Sequence, residues 1–304
     1  MFSIIIPCFN AAVTLSETLA SLHAQTLTDW EALLIDDGSS DATREIIAQA
    51  ASTDLRLQLL KNPRKGPSAA RNHGATQAQG QIIAFCDADD LWAPQKLARM
   101  AALFERAETD AVFARIGFFR DTPEDSQVFS TVRQEPLGIA TLLGENPVCT
   151  MSNLCIRKNC FTVSEGFDET LVHNEDLEWL IRIVGAGTEI VGHDEILVWY
   201  RNNAFGLSAD FEAMRAGRQA ALATAQRYGF SSDRHAEAIY LRYLARRALR
   251  LDADRSTALR FVLEGLRNSP AGFFSDLRRG VLTAMGAVAA PLLGQRARRS
   301  LFGR

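Results

Sequence analysis

The segment Ile82-Ile-Ala-Phe-Cys-Asp-Ala-Asp-Asp-Leu-Trp92 decides the fold that we expect for this chain. Its first five residues are apolar, which is typical of a strand buried on both faces inside a parallel sheet. Asp87, Asp89 and Asp90 follow within four positions, and carboxylates that close repel one another unless a cation or hydrogen-bond donors hold them. Ligands of open α/β sheets bind beyond the carboxyl ends of the strands. The segment therefore predicts a ligand site at that edge.

Two explanations of these three acids remain open from the segment alone. Mg²⁺ and Mn²⁺ prefer carboxylate oxygens, and Mg²⁺ usually rests on one or two carboxylates and the phosphates of a substrate. The alternative is a solvated acidic turn that caps the following helix, with Pro94 in the first helical turn. For Asp90 a capping or supporting role is the simpler interpretation, whereas for Asp87 and Asp89 the choice depends on the rest of the chain.

The residues before this segment alternate between strand and helix patterns. Apolar runs predict strands at Phe2–Ile6, Trp30–Ile35 and Leu55–Leu60, and helical spacing predicts helices between them. The second strand ends at Asp36-Asp37, so two strands end in paired carboxylates at one edge. The order β-α-β-α-β-α-β predicts an α/β fold with a doubly wound, mostly parallel sheet.

A basic loop, Lys61–Pro67, follows the third strand and leads into a helix that carries Arg71 near its start. The N-terminus of a helix with Arg and Lys nearby favours anions, phosphate included. The sequence has no G-x-G-x-x-G after its first strand and no G-x-x-x-x-G-K-[ST], which disfavours a dehydrogenase-type dinucleotide fold and a P-loop NTPase. A nucleotide on this sheet would therefore be held by carboxylates and a metal.

Composition and charge narrow the class of protein. Of the 304 residues, 47% are hydrophobic and 23% are charged, which is ordinary for a soluble globular protein. The formal net charge of −3 gives no reason to expect binding to nucleic acid. Five scattered cysteines indicate reduced thiols, and the start MFSIIIPCFN lacks the features of an export signal. We expect a cytoplasmic protein.

Four segments together resemble family 2 glycosyltransferases of the GT-A fold, which is Rossmann-like. They are, in chain order, Ser3-Ile-Ile-Ile-Pro-Cys-Phe-Asn10, Ile35-Asp-Asp-Gly-Ser-Ser-Asp41, Gly66-Pro-Ser-Ala-Ala-Arg-Asn-His-Gly74 and Phe85-Cys-Asp-Ala-Asp-Asp-Leu-Trp92. The resemblance covers residues 1 to about 200. It implies a metal-dependent, inverting transfer of a sugar from a nucleoside diphosphate sugar. UDP is the favoured nucleotide because members of the family commonly use it.

The resemblance also implies which residues bind the nucleotide. Pro7 and Phe9 should frame the base, and Asp37 should accept a hydrogen bond from it. Arg71 should lie near the base or the phosphates, and Asp87 should meet the ribose or the shell of the metal.

The resemblance implies that Asp89 is the ligand of the divalent ion, Mn²⁺ or Mg²⁺. A diphosphate leaving group needs a cation to stabilise the charge that develops on it. Tyr200-Arg201 is similar to the family's Tyr-Arg that precedes a His often near the metal, but Asn203 stands at the corresponding place. We therefore expect the ion to rest on Asp89, the diphosphate and water.

The second half of the catalytic region should hold the acceptor. Glu175-Asp176, at the start of a predicted helix, is similar to the family's Glu-Asp pair, whose Asp is the catalytic base. An inverting displacement needs a base that removes the proton of the acceptor hydroxyl. We expect Asp176 to be this base and Glu175 to bind the acceptor or support the site. The alternative is that both acids only favour the N-terminus of a helix.

From Asp210 onward helical spacing dominates, so we expect a catalytic domain over residues 1–209 and a helical C-terminal extension over residues 210–304. In it, the uncharged run Gly280–Leu293 is about fourteen residues long, shorter than the roughly twenty that span a bilayer. The run is flanked by Arg278, Arg279, Arg296, Arg298 and Arg299. We expect it to lie on the inner face of a membrane. The alternative is a terminal helix docked on the catalytic domain or on a second subunit.

The pattern as a whole predicts a glycosyltransferase that acts on a glycan or lipid-linked acceptor in cell-surface polysaccharide biosynthesis. One alternative is a nucleotidyltransferase, which also uses paired carboxylates and metals, but no Gly-rich basic loop follows the first strand. Another is a nucleotide-sugar-binding or scaffolding protein that has lost catalysis, which the presence of both Asp89 and Asp176 disfavours. We expect no nucleic acid among the partners, because helical Arg faces are usually solvated.

Overall fold

The structure, a computed structural model, describes residues 1–133, 135–202, 210–251, 253–254 and 256–302. Its strands are β1 (Phe2–Cys8), β2 (Trp30–Asp36), β3 (Leu57–Lys61), β4 (Ile82–Phe85), β5 (Leu91–Trp92), β6 (Ala111–Phe119), β7 (Val128–Phe129), β8 (Leu154–Arg157) and β9 (Ile190–Arg201). Its helices are α1 (Leu15–His23), α2 (Thr43–Thr53), α3 (Pro67–Gln77), α4 (Lys96–Phe104), α5 (Ile139–Gly144), α6 (Lys158–Val163), α7 (Glu175–Gly185), α8 (Phe211–Arg227), α9 (Arg234–Arg250), α10 (Thr257–Asn268), α11 (Pro270–Phe273), α12 (Leu277–Ala289) and α13 (Gln295–Phe302).

In the described residues the strands form one sheet in the order β3-β2-β1-β4-β8-β6-β9-β5, and β7 pairs with β6. Strands β1 to β4 pair in parallel, as the alternation of strand and helix patterns predicts. Strand β8 runs antiparallel to both of its neighbours, β4 and β6, whereas β6 and β9 are parallel. Strand β8 therefore runs against the strands on both sides of it, and β6 and β9 run in the same direction as β4.

The strands of the parallel half are buried on both faces. Ile5 and Phe85 belong to a core cluster on one face of the sheet, and Ile4, Ile6 and Leu34 belong to a cluster on the other. Successive side chains of a strand point to opposite faces, so an uninterrupted apolar run fills both clusters.

Two predicted boundaries are wrong for local reasons. Strand β3 begins at Leu57 rather than Leu55, whose side chain is 94% exposed in the turn before it. The helical spacing of Phe273–Leu293 predicts one helix there, but it is interrupted, because Asp276 caps a separate helix that begins at Leu277. The cap is the Asp276 carboxylate, which accepts a backbone hydrogen bond in the first turn of α12.

The described residues from Asp210 onward form helices α8 to α13, with no strand among them. Helix α8 packs on the sheet-containing part of the chain. Thr224 Oγ1 donates a hydrogen bond to Glu178 of α7 at 2.9 Å, and Arg218 donates one to the Leu143 carbonyl of α5 at 2.7 Å. The helical region is thus docked on the sheet-containing part of the chain.

Helix α12 packs with one side and leaves the other exposed. Its buried residues are Gly280, Thr283, Gly286 and Ala287. The exposed side, which we call the α12 apolar face, consists of Leu277, Val281, Leu282, Met285 and Val288. No helix among the described residues is long and apolar enough to cross a membrane.

Two of the arginines expected beside a membrane surface turn inward. Arg279 lies 3.4 Å from Glu145, and Arg298 is 9% exposed and donates a hydrogen bond to the Leu293 carbonyl. The expectation that all the flanking arginines face a membrane is therefore wrong. Arg278, in contrast, is exposed.

Gly80 generates a test of the fold, because it lies against the start of β1. A Cβ at Gly80 would stand 2.7 Å from the Ser3 nitrogen and 2.8 Å from the Met1 carbonyl oxygen. These are backbone atoms beside a paired strand, so we predict that Gly80→Ala lowers the free energy of unfolding by about 1–3 kcal/mol. Urea denaturation measures the loss. In the control, Gly138→Ala, a Cβ meets no atom within 4 Å, and equal losses in both variants would contradict the prediction.

Candidate active site

The candidate site lies beyond the carboxyl ends of β1, β2 and β4. In the parallel register Cys8 is opposite Asp36, and Ile5 is opposite Phe85. The residues that follow these strands therefore emerge at one edge of the sheet. Asp37 and the acids from Asp87 onward share that edge, as the sequence predicts.

Asp37 is held by the basic loop that follows β3. Its carboxylate accepts hydrogen bonds from Asn62 Nδ2 at 2.6 Å and from the Gly66 N–H at 3.1 and 3.2 Å. Lys65 Nζ donates to the Asp37 carbonyl at 2.5 Å. Gly66 has a φ of +102°, where a residue with a Cβ would be strained. The loop thus orients the Asp37 carboxylate at the edge of the sheet.

Phe9 and Pro7 stand next to Asp37. The Phe9 side chain is 59% exposed, and Lys65 Nζ lies 5.6 Å from the centroid of its ring. Pro7 is half-buried in β1, and the Asp37 N–H donates a hydrogen bond to the Cys8 carbonyl at 2.8 Å. An exposed aromatic ring beside an oriented carboxylate is a surface on which a nucleobase can stack and form a hydrogen bond.

Arg71 joins β4 to helix α7. Its side chain is 7% exposed, with Nη2 2.9 Å from Asp87 Oδ1 and Nη1 2.9 Å from Glu175 Oε1. Burial alone would lower the pKa of Arg71, but the charges of Asp87 and Glu175 raise it above its ordinary value. The guanidinium therefore stays charged and holds two carboxylates that would otherwise repel each other.

The loop between α5 and β8 supplies contacts that sequence analysis missed. Thr150 Oγ1 donates to Asp87 Oδ2 at 3.0 Å, and the Asp87 N–H donates to Ser152 Oγ at 2.8 Å. Asn146 Nδ2 donates to Asp176 Oδ2 at 3.2 Å. These polar residues follow no periodicity and form no motif. The one available signal is that Thr150 and Ser152 stand just before a buried strand.

Asp90 is a supporting residue. It is 1% exposed, and its carboxylate accepts hydrogen bonds from the Arg201 N–H at 3.0 Å and from Thr150 Oγ1 at 3.4 Å. Helix α4 begins only several residues later, so the capping alternative for Asp90 is wrong. Burial, together with the charges of the neighbouring carboxylates, raises the pKa of Asp90 well above its ordinary value.

Asp89 is the carboxylate on which we expect the metal. Burial and the charge of Asp87 raise the pKa of Asp89 to about 6, and a bound cation would relieve that repulsion. Among the described residues, no group of three or more His, Cys, Asp and Glu side chains is arranged to hold a metal. Asn203 lies outside the described residues. A carboxylate with a raised pKa, such as Asp89, fits an ion that also rests on substrate phosphates, the usual arrangement for Mg²⁺.

Asp176 is the second residue of α7 and follows Glu175. Burial and then the charge of Glu175 raise the pKa of Asp176 to about 7, which suits a group that accepts a proton near neutral pH. Stabilisation by the N-terminus of a helix would instead lower the pKa of an acid. The helix-terminus alternative therefore explains the position of Asp176 but not its raised pKa.

The structure brings the expected residues together in two neighbouring groups. Pro7, Phe9 and Asp37 lie at the ends of β1 and β2. The second group is connected by ion pairs and charges, and it consists of Arg71, Asp87, Asp89, Glu175 and Asp176.

Comparison with known proteins places residues 3–162 in the family model of Glycosyl transferase family 2. A stretch of 98 residues is 43% identical to the Escherichia coli UDP-Glc:alpha-D-GlcNAc-diphosphoundecaprenol beta-1,3-glucosyltransferase WfgD, and it covers 32% of this chain and 38% of WfgD. A stretch of 202 residues is 26% identical to the amylovoran biosynthesis glycosyltransferase AmsB of Erwinia amylovora, over 62% of this chain and 66% of AmsB. The chain thus matches less than two thirds of the length of either relative.

Solved structures share the fold over nearly the whole chain. S. aureus TarS in complex with UDP has 17% identity and a TM-score of 0.61, over 100% of this chain and 93% of that chain. The mannosyltransferase PcManGT from Pyrobaculum calidifontis, in complex with GDP-Man and Mn2+, has 19% identity and a TM-score of 0.62, over 98% and 82%. Since the family model matches just over half of the chain, and the sheet and its helices match these structures, the chain belongs to glycosyl transferase family 2 and has the GT-A fold.

Proposed function

We propose that this chain is an inverting, metal-dependent glycosyltransferase that moves a sugar from a UDP-sugar to a glycan or lipid-linked acceptor in cell-surface polysaccharide biosynthesis. The observation that carries the proposal is the chain of ion pairs Asp87–Arg71–Glu175, because it holds the acids after β4 next to Asp176. The names of the relatives support the substrates. That of WfgD includes UDP-Glc and a diphosphoundecaprenol, and that of AmsB includes amylovoran biosynthesis.

The donor nucleotide lies across the ends of β1, β2 and β4 in this proposal. Pro7 and Phe9 frame the base, and the Asp37 carboxylate accepts a hydrogen bond from it. The exposed ring of Phe9 and the held carboxylate of Asp37 support these roles. Asp87 meets the ribose or the shell of the metal, and the charge of Arg71 beside it attracts the phosphates.

Transfer begins when the Asp176 carboxylate accepts the proton of an acceptor hydroxyl. The hydroxyl oxygen attacks the anomeric carbon of the donor, and the bond from that carbon to the diphosphate breaks on the opposite face, which inverts the configuration. A divalent ion on Asp89, when bound, supplies positive charge that stabilises the leaving diphosphate. Glu175 binds the acceptor or, through Arg71, keeps the start of α7 in place.

We predict that Asp89→Ala removes the gain in UDP affinity that Mn²⁺ produces, because the ion loses its protein ligand. Isothermal titration of UDP with and without Mn²⁺ measures this gain. Asp29→Ala is the control, since Asp29 is a 66% exposed carboxylate that precedes β2 at the opposite edge of the sheet. A full Mn²⁺-induced gain in Asp89→Ala would show that the ion is held elsewhere.

We predict that Asp176→Asn keeps UDP affinity but lowers turnover by about 10²-fold or more, because the amide cannot accept the proton. With its pKa raised to about 7, Asp176 is protonated below that pH, so wild-type turnover should rise with pH up to about 7 and then level off. The variant should lack this rise. Release of UDP from a donor and acceptor pair measures both. A variant with near wild-type turnover means that Asp176 is not the base.

We also propose that the protein is cytoplasmic and that its helical extension, residues 210–304, attaches to the inner face of a membrane through the α12 apolar face. The support is the exposure of that face while the opposite side of α12 is packed. Exposed Arg278 adds attraction to anionic lipids, on the order of 1 kcal/mol near the surface.

We predict that the protein floats with vesicles that contain phosphatidylglycerol at low salt, and that the double variant Leu282→Asp/Met285→Asp does not. Aspartates on the α12 apolar face would have to enter the lipid interface with their charge. The control is Leu55→Asp/Val163→Asp, which changes two side chains that are 94% and 83% exposed elsewhere. Wild-type protein that stays soluble with these vesicles would refute the attachment.

A further inference from the structure

Three arginines on the helical extension converge on one carboxylate, and a fourth lies beside them. Arg242, Arg246 and Arg250 are spaced four apart on α9 and so lie on one face of that helix. Arg279 reaches the same place from α12. We call these four residues the arginine cluster. Arg242, Arg246 and Arg279 lie around Glu145, and the charge of Arg250 acts on Arg246 and Cys149.

The contacts of the arginine cluster leave it with an excess of positive charge. Glu145 lies 3.7 Å from Arg242, 3.8 Å from Arg246 and 3.4 Å from Arg279. The second carboxylate that pairs with the cluster within the described residues is Asp276, 3.2 Å from Arg279. Four guanidinium groups thus face two carboxylates, and the three contacts to Glu145 are all longer than a good charged hydrogen bond.

A structural role accounts for Arg242 but not for the whole cluster. Arg242 is 4% exposed and donates a hydrogen bond to the Phe273 carbonyl at 2.9 Å, which ties α9 to α11. Arg246 is 21% exposed and meets Glu145 only at 3.8 Å, and Arg250 stacks 4.9 Å from the ring centroid of Phe118. Burial and the charges of Arg246 and Arg247 lower the pKa of Arg250 to about 10, as expected for cations that lack an anion.

The cluster adjoins the candidate base. Glu145 directly precedes Asn146, whose amide donates a hydrogen bond to Asp176. Cys149 lies in the same loop, and the positive charges of Arg246, Arg250 and Arg279 each act to lower its pKa. The loop therefore connects the arginine cluster with Asp176 over a few residues.

The cluster is separate from the pocket expected for the base of the donor. That pocket is formed by Phe9 and Asp37 at the ends of β1 and β2, whereas Arg250 contacts Phe118 of β6. Three strand steps, from β1 through β4 and β8 to β6, separate the two places. At about 4.8 Å per step this amounts to roughly 14 Å. The cluster is thus on the far side of the reacting centre from the nucleobase.

We propose that Arg246, Arg250 and Arg279 bind a phosphate or diphosphate group carried by the sugar acceptor. The inference rests on the proposed function, since it takes Asp176 as the base that faces the acceptor. Guanidinium groups bind phosphate oxygens in pairs, so three of them whose charges act on the same residue, Cys149, can form a strong phosphate site. When the hydroxyl of an acceptor faces Asp176, the phosphate of that acceptor lies at the arginine cluster. The phosphate then balances the positive charge that Glu145 and Asp276 leave unpaired. A lipid diphosphate and a phosphorylated sugar both supply this chemistry.

The test uses the full chain with saturating UDP and Mn²⁺, so that the donor site is occupied. Farnesyl diphosphate represents a lipid diphosphate and glucose 1-phosphate a phosphorylated sugar, and calorimetry measures the binding of each. We expect at least one probe to bind, and Arg246→Gln/Arg250→Gln to weaken it by about tenfold or more. The probe that binds identifies the source of the phosphate.

The control variant Arg260→Gln/Arg267→Gln loses the same two charges from exposed positions on α10. It should bind the probes as the wild type does. Should the glutamine variant of the cluster fail to fold, Arg246→Lys/Arg250→Lys keeps the charge but loses the paired hydrogen bonds, and we expect it to bind the probe several-fold more weakly than the wild type.

The inference is overturned when neither probe binds the wild type, or when the cluster variants bind as tightly as the wild type and the control. UDP affinity measured on the same samples separates this result from a failure of the proposed function. Normal Mn²⁺-dependent UDP binding with cluster-independent probe binding refutes only the phosphate site. Wild-type protein that does not bind UDP in the presence of Mn²⁺ refutes the proposed function.

Discussion

The arrangement of the site depends on one buried cation, the guanidinium of Arg71. It comes from α3, and its two partners come from the end of β4 and the start of α7. Without it, Asp87 and Glu175 would face each other as partly buried carboxylates, and removing one partner from a buried ion pair typically costs about 3–5 kcal/mol. The position of α7, and with it that of Asp176, is therefore set by a charge on a helix from the other half of the sheet.

The same balance of charge and burial gives adjacent acids different properties. Asp87 is paired with Arg71, whereas Asp89 and Asp176 have raised pKa values because burial and a neighbouring carboxylate outweigh the charges of Arg201 and Arg71. Asp90 is more deeply buried than these acids, and its carboxylate accepts hydrogen bonds from Thr150 and Arg201. Acids that look equivalent in the sequence thus divide into one that is paired, two whose pKa is raised to near neutrality and one that supports its neighbours.

The sequence predicted the parallel half of the sheet and the acids at its edge well, because apolar strands and the acids after them are local patterns. It did not predict the contacts of Asn146 and Thr150, since a loop without periodicity gives no sign of what it faces. It also placed Arg279 at a surface. Helical spacing tells which residues share a face, but the orientation of that face depends on α9 and Glu145, which are distant in sequence.

The antiparallel direction of β8 has a consequence for the loop that precedes this strand. Because β8 runs against β4, the loop before it arrives at the edge where β4 ends, and so Thr150 touches Asp87 while Asn146 touches Asp176. A change in the conformation of this loop would therefore alter the contacts of both Asp87 and Asp176. The family model ends at residue 162, so all four residues of the arginine cluster lie outside its range. In the phosphate site that we propose, the acceptor would therefore be held by α9 and α12, outside the part of the chain that the family model matches.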